Sequence, residues 1–420
     1  MNRLKVAEYI RVGFAYVLVA LVFTNLFAFF TGLGESDYAA AHANLQHMRN
    51  LGIPPYTIRD LGFVVAGLVI LLDPSSLRRL VESPLFRWAF CILILYTWAM
   101  LHRTMAAPPG MPIYDLMLPY LSRANMLAFM VSCIVIFDGA EVLYKTKWLI
   151  VFATLAGVVL NVYDLVYPGT FSEAAGRGAG LFINPNGAGM ALVVGCLIGL
   201  PVLPRYWREL FVVVSSLGIL ATFSREAILA DIIVIVAAGF ARAISLRMLG
   251  VGGALAIGLF AAFSIGDVLE HGGILNSDNM SRLTMGTTDN STAHRLEDAA
   301  QTLHAFEDAP ILGQGIGTDE YWSGEPAHNL YLRLMADQGI IGLLIIPALV
   351  YSLRRKSWDF YAFAIVFFLW CLFDHFIMTS PFALMCFAVE AGESVQYRQV
   401  FPRFARQRFA PLGFSEIDSL

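Results

Sequence analysis

Pro326-Ala327-His328-Asn329-Leu330-Tyr331-Leu332 stands where the longest polar segment of the chain gives way to an apolar run that continues to Leu353. A hydrocarbon core of about 30 Å takes roughly 20 apolar residues per helical crossing, and the run from Asn329 is long enough for one. The stretch therefore sets a histidine and an asparagine at the head of a membrane helix. A titratable imidazole at such a boundary can meet a water-borne and a lipid-borne molecule together.

Working outward, the same reading recurs almost end to end. The chain has 420 residues, 58% of them hydrophobic and 14% charged, far more apolar than an average globular protein. It reads as an all-α polytopic membrane protein, a single membrane domain over 1–420 with about twelve spans. They are predicted at 9–31, 57–72, 88–105, 116–137, 148–167, 185–203, 209–223, 226–244, 249–265, 329–353, 358–373 and 377–391. The first follows Arg3 and Lys5 and is too long for a signal-peptide core, so it reads as an uncleaved helix. The net charge of −4 says little by itself, since in a membrane protein the distribution of charge carries the information, and no basic tract points to a nucleic-acid partner. Cys91, Cys133, Cys196, Cys371 and Cys386 sit in apolar segments without CxxC or Cys/His spacing and read as small buried hydrophobes.

Basic residues orient the spans. With the N-terminus inside, 19 of the 28 fall on the cytoplasmic side, which places both termini there. All four lysines, Lys5, Lys145, Lys147 and Lys356, are among the 19. The basic residues left outside are arginines, whose rigid fork suits phosphate. Single cysteines at Ser281 and Ser357, in a cysteine-free background, test this orientation. An impermeant maleimide is expected to label the first and spare the second, and the reverse pattern overturns the topology.

Residues 266–328 form the longest stretch without a span. Up to Thr292 it is rich in Ser, Thr, Asn and Gly and reads as a loop. Beyond that, Leu296, Ala299, Ala300, Leu303 and Phe306 recur at helical spacing and Pro310 follows, which predicts a helical lid between the ninth and tenth helices.

Four outer-face stretches keep polar groups: Arg177-Gly178-Ala179-Gly180-Leu181-Phe182-Ile183-Asn184-Pro185-Asn186, Phe223-Ser224-Arg225-Glu226-Ala227, His294-Arg295-Leu296-Glu297 and the His328 stretch. Asn184 and Pro185 read as the cap and first turn of the sixth helix, a start that also suits an anion. Arg225 either snorkels to the interface, pairs with Glu226 or Asp231, or serves a ligand. Arg177 and Arg295 are solvated loop charges or ligand contacts. His328 is either an interfacial imidazole held by a backbone carbonyl or a chemical group, and Asp374-His375, a carboxylate beside an imidazole, ranks second to it. Gly313-Gln314-Gly315-Ile316-Gly317 lacks the dinucleotide spacing and a preceding strand, and reads as a tight turn. No HExxH, DxD or paired-carboxylate spacing calls for a metal, and no cofactor is implied.

Taken in order, Arg177 with Phe182-Ile183-Asn184-Pro185-Asn186, Phe223-Ser224-Arg225, Arg295 with Phe306-x-Asp308-x-Pro310-Ile311-Leu312-Gly313-x-Gly315, His328-Asn329-x-Tyr331-Leu332 and Gly339-Ile340-Ile341-Gly342 resemble the O-antigen ligase and polymerase superfamily. The resemblance covers about 150–355; the first four helices match only in hydropathy. It implies a multi-span, C-type inverting glycosyltransferase without metal, working on the periplasmic side of a Gram-negative inner membrane. The implied donor is a glycan on undecaprenyl diphosphate, and the acceptor a lipid A-core sugar for a ligase or another lipid-linked repeat for a polymerase. Carried over, Arg177, Arg225 and Arg295 hold the diphosphate and His328 is the general base. Ligase is the first reading and repeat-unit or exopolysaccharide polymerase the second, followed by protein O-oligosaccharyltransferase. A lipid-glycan transporter, from another class, calls for polar and small residues spread through the bundle instead of gathered at one face.

Overall fold

The computed structural model describes residues 3–31, 58–106, 113–168, 170–172, 174, 176–245, 247, 250, 290–317 and 328–408. The predicted span at 249–265, but for residue 250, the polar loop before Asn290 and the start of the Pro326–Leu332 stretch fall outside them. The described residues are helical, with no strand among them.

The chain opens with α1 (Arg3–Leu18), which runs through a π-helical turn at Val19–Phe23 into α2 (Leu26–Thr31). After α3 (Ile58–Leu72) it bends by 117° into α4 (Ser75–Glu82). There follow α5 (Pro84–Ala106), α6 (Ile113–Ile136), α7 (Ala140–Val166), α8 (Pro185–Gly199), α9 (Arg205–Leu220) and α10 (Arg225–Phe240). The last group is α11 (Asn290–Asp308), α12 (Leu330–Gln338), α13 (Ile345–Leu353), α14 (Trp358–Phe373) and α15 (Pro381–Arg408). Among the described residues, six helices are long and apolar enough to cross a membrane, or seven if the bent α3–α4 pair is one span. Three further predicted spans, 209–223, 226–244 and 358–373, correspond to α9, α10 and α14, which have 16 residues each, about a turn short of a 20-residue crossing.

α8 is the hub. Nearly all of it is buried, against α7, α9, α10 and α14. Its small residues make this possible, because a side chain added at Gly189 would strike Ala227 of α10 and one at Gly195 would strike Thr154 of α7. The helix starts as its sequence dictates: Asn184 accepts the Asn186 amide at 2.9 Å and Pro185 takes the first turn. Ser224 caps α10 in the same way, and Asn329 accepts the Tyr331 and Leu332 amides at the head of α12.

The helix expected over 329–353 is interrupted. At Gly339 the backbone takes φ +64°, Gly339–Leu344 tightens into a 3-10 segment, and α13 resumes beyond it. The cause is the glycine turn at 313–317, which docks on the break. Gln314 and Gly315 donate to the Ala336 and Asp337 carbonyls at 2.8 and 3.1 Å, and Ile340 donates to Pro310 O at 2.9 Å. A Cβ at Gly313 or Gly339 would lie 2.4 Å from the facing backbone, so both positions need glycine.

Charged groups close the other ends of the same helices. Arg11 and Arg79 share Asp73 at 3.0 and 2.8 Å, and Arg79 also reaches Asp138 at 2.6 Å, which ties the α3–α4 bend to α1 and the end of α6. Nearby, Arg355 pairs with Glu390 at 2.6 Å and with Glu393 at 3.1 Å, and Lys147 joins Glu393. These bonds hold α7, α13 and α15 together opposite the site described next.

Candidate active site

Where α1 ends and α8, α10 and α15 begin, the bundle encloses a cavity of about 220 Å³. Its polar lining comes from six elements or their flanks: Asn25, Arg59 of α3, Asn184 and Asn186 at the head of α8, Glu226 of α10, Arg295 of α11, and His328 just before α12. Asp374, Thr379 and Ser380 between α14 and α15 complete it, with Phe182, Trp370, Phe376 and Phe382 as the apolar part.

His328 is brought here by the Asn329 cap, which turns the chain into α12 directly after the imidazole. Its ring lies edge to face on His375, with centroids 5.2 Å apart. His375 is buried, and neither of its ring nitrogens has a hydrogen-bond partner among the described residues. Burial pushes this imidazole far down from its ordinary range, and the charges of Arg333 and His328 push the same way, so it stays neutral. Asp374 is held rigidly: its carboxylate accepts the Phe376 amide at 2.8 Å and the Trp370 indole N–H at 3.0 Å. Burial raises its pKa, while those two donors and the charges of His328 and Arg295 oppose the rise. A carboxylate, two imidazoles and an arginine thus act on one another at this wall.

The arginines differ in placement. Arg295, from the first turns of α11, faces the cavity and pairs with Glu226 at 3.6 Å. Arg177 is buried behind the wall: Nε donates to Thr222 O and Nη2 to Asn186 Oδ1, both at 2.9 Å. It therefore aims Asn186 at the cavity without lining it. Arg225 is exposed and outside the lining. Glu226, which was one of its expected partners, turns to Arg295 instead, and Asp231 lies a turn and a half deeper in α10.

Phe182 also lines a second, almost wholly apolar groove of about 380 Å³, formed by Val19, Phe23, Ala153, Gly157 and Leu192 among others. It runs between the π-turn, α7 and α8. One side of Phe182 is thus polar and charged, and the other suits a hydrocarbon.

The family model described as O-antigen ligase matches residues 210–347. That match, over about a third of the chain, supports the O-antigen ligase superfamily. No curated protein matches it. The matched segment contains Arg225, Glu226, Arg295 and His328, so the O-antigen ligase region supplies one wall of the cavity. Arg59, Asn186 and Asp374 come from outside it. Members of this superfamily are glycosyltransferase-like enzymes of ligase or polymerase type. The helical bundle, with its apolar spans, is that of a multi-pass membrane protein.

Arg59 and Glu226 were not singled out as site residues from sequence. Arg59 appears there only as one of several outer-face arginines, in a region related to the superfamily by hydropathy alone. Glu226 stands beside Arg225 in a quoted motif, and nothing in the pattern says which of the two faces inward. Among the described residues, no three His, Cys, Asp or Glu side chains are grouped to hold a metal.

Proposed function

We propose that this protein is an O-antigen ligase, which moves a glycan from undecaprenyl diphosphate to a lipid A-core sugar on the periplasmic side of a Gram-negative inner membrane. One observation carries the reading. The cavity gathers His328, Arg295 and Asp374 beside an apolar groove, so a charged head and a long hydrocarbon tail find adjoining environments at Phe182.

In this reading the acceptor hydroxyl attacks the anomeric carbon of the donor sugar as its proton passes to His328. The bond from that carbon to the diphosphate oxygen breaks, and the electron pair leaves with undecaprenyl diphosphate. Attack from the face opposite the leaving group inverts the anomeric centre. Asp374 stabilises the imidazolium that forms, and Arg295 offsets the charge developing on the diphosphate. Arg177 serves through Asn186 at the head of α8, where free amides favour an anion. Arg225 meets the diphosphate from outside the cavity.

Mixing purified protein with donor and acceptor tests the reading: free undecaprenyl diphosphate should appear, which a transporter would not release. In a strain lacking the protein, uncapped core with accumulated lipid-linked polymer supports ligase. Core bearing a single repeat would point to polymerase instead.

Since arginines take the charge-neutralising role, transfer is expected to continue in excess EDTA. Activity that stops on chelation and returns with magnesium would sink that part of the mechanism.

A further inference from the structure

The expected diphosphate clamp names three arginines, and only Arg295 lines the cavity. A second arginine lines it as well: Arg59, in the first turn of α3. Arg59 lies outside both the 150–355 resemblance and the matched segment 210–347. We infer that Arg59 is a phosphate-binding residue of this site, a second guanidinium fork that grips the anionic head of the lipid donor. The inference rests on the functional reading above and adds to it a residue that neither the resemblance nor the family match supplies.

Charge balance carries the argument. Two carboxylates, Glu226 and Asp374, also face the cavity, and Glu226 already sits 3.6 Å from Arg295. With Arg59 left out, the formal charges on the wall sum to a net negative value when His328 is neutral. Arg295, already engaged by Glu226, then leaves little positive charge on the lining for an ionised diphosphate. Including Arg59 brings the sum to neutrality and adds donors in the planar arrangement that suits phosphate oxygens. Arg59 and Arg295 also reach the cavity from two separate elements, α3 and α11, so they can hold two phosphates without competing for one. Partial burial strengthens both contacts, because water screens them less.

The test is equilibrium binding of farnesyl diphosphate to the purified full-length protein in lipid nanodiscs, with farnesol as the uncharged control. Arg59→Gln is expected to weaken farnesyl diphosphate binding about tenfold or more, the usual cost of losing hydrogen bonds to a charged group. Farnesol binding should be unchanged, which shows that the variant is folded. Arg59→Lys, which keeps the charge and loses the fork, should fall between. Arg78→Gln, on the exposed face of α4 and paired with Glu82, should match wild type. If Arg59→Gln does not fold, Arg59→Met retains the apolar stem and carries the same readout. Affinity within twofold of wild type in the charge-removing variant overturns the assignment of Arg59 and leaves the functional reading in place. Wild-type protein that does not bind farnesyl diphosphate overturns that reading, and Arg59's role with it.

Discussion

His328→Ala is expected to fold, to bind donor and to lose about 10²–10⁴-fold of the transfer rate, the usual cost of removing a general base. The side chain lines the cavity and packs on His375. The α12 cap belongs to Asn329. Truncation therefore leaves an opening at the cavity wall and spares the fold around it. Donor binding and product formation should be measured on one purified sample, beside its unfolding profile. Near wild-type transfer by a well-folded variant would remove His328 from the mechanism and turn attention to Asp374.

The largest effect on stability is expected at Asp337. Its carboxylate accepts from Arg123 at 2.5 Å across the α6–α12 contact and from the Gly317 amide at 2.9 Å, with side-chain exposures of 0% for Asp337 and 6% for Arg123. Removing one member of a buried pair leaves the other charge uncompensated, at about 3–5 kcal/mol, whereas replacing both by apolar residues of similar volume often costs little. Asp337→Ala should thus destabilise by about that amount. Arg123→Met with Asp337→Leu should recover much of it. Unfolding of the three proteins in one detergent gives the comparison, and a single variant within about 1 kcal/mol of wild type would show that the pair contributes little. Because α12 directly follows His328, a loosened Asp337 is also expected to reduce transfer.

What the sequence made legible was mostly local. Helix starts at Asn184 and Asn329 were readable because a cap is a contact between residues two or three apart. His328 and Arg295 were reached through motif order, and both line one cavity. The break at Gly339 was not readable from its own stretch, since the glycines at 339 and 342 sit in a run apolar enough for a continuous span. It exists because the turn at 313–317 docks there, a contact between separate segments. Arg225 shows a different limit. Neighbouring residues on a helix point about 100° apart, so the step from Arg225 to Glu226 decides which one faces the cavity. The pattern of α10 is apolar all round and does not set that rotation. Arg59 and Asp374 reach the site only through packing of the first and last thirds of the chain against the middle, which no spacing records.

The site's polar wall is drawn from residues as far apart as Asn25 and Ser380, and this has a consequence in time. As the chain is synthesised, Arg295 and His328 are made before Trp370, Asp374 and Phe382. A chain that ends within α14 carries the proposed base without the Asp374 carboxylate beside it and without the far side of the pocket. Competence for chemistry and completion of membrane insertion therefore arrive together.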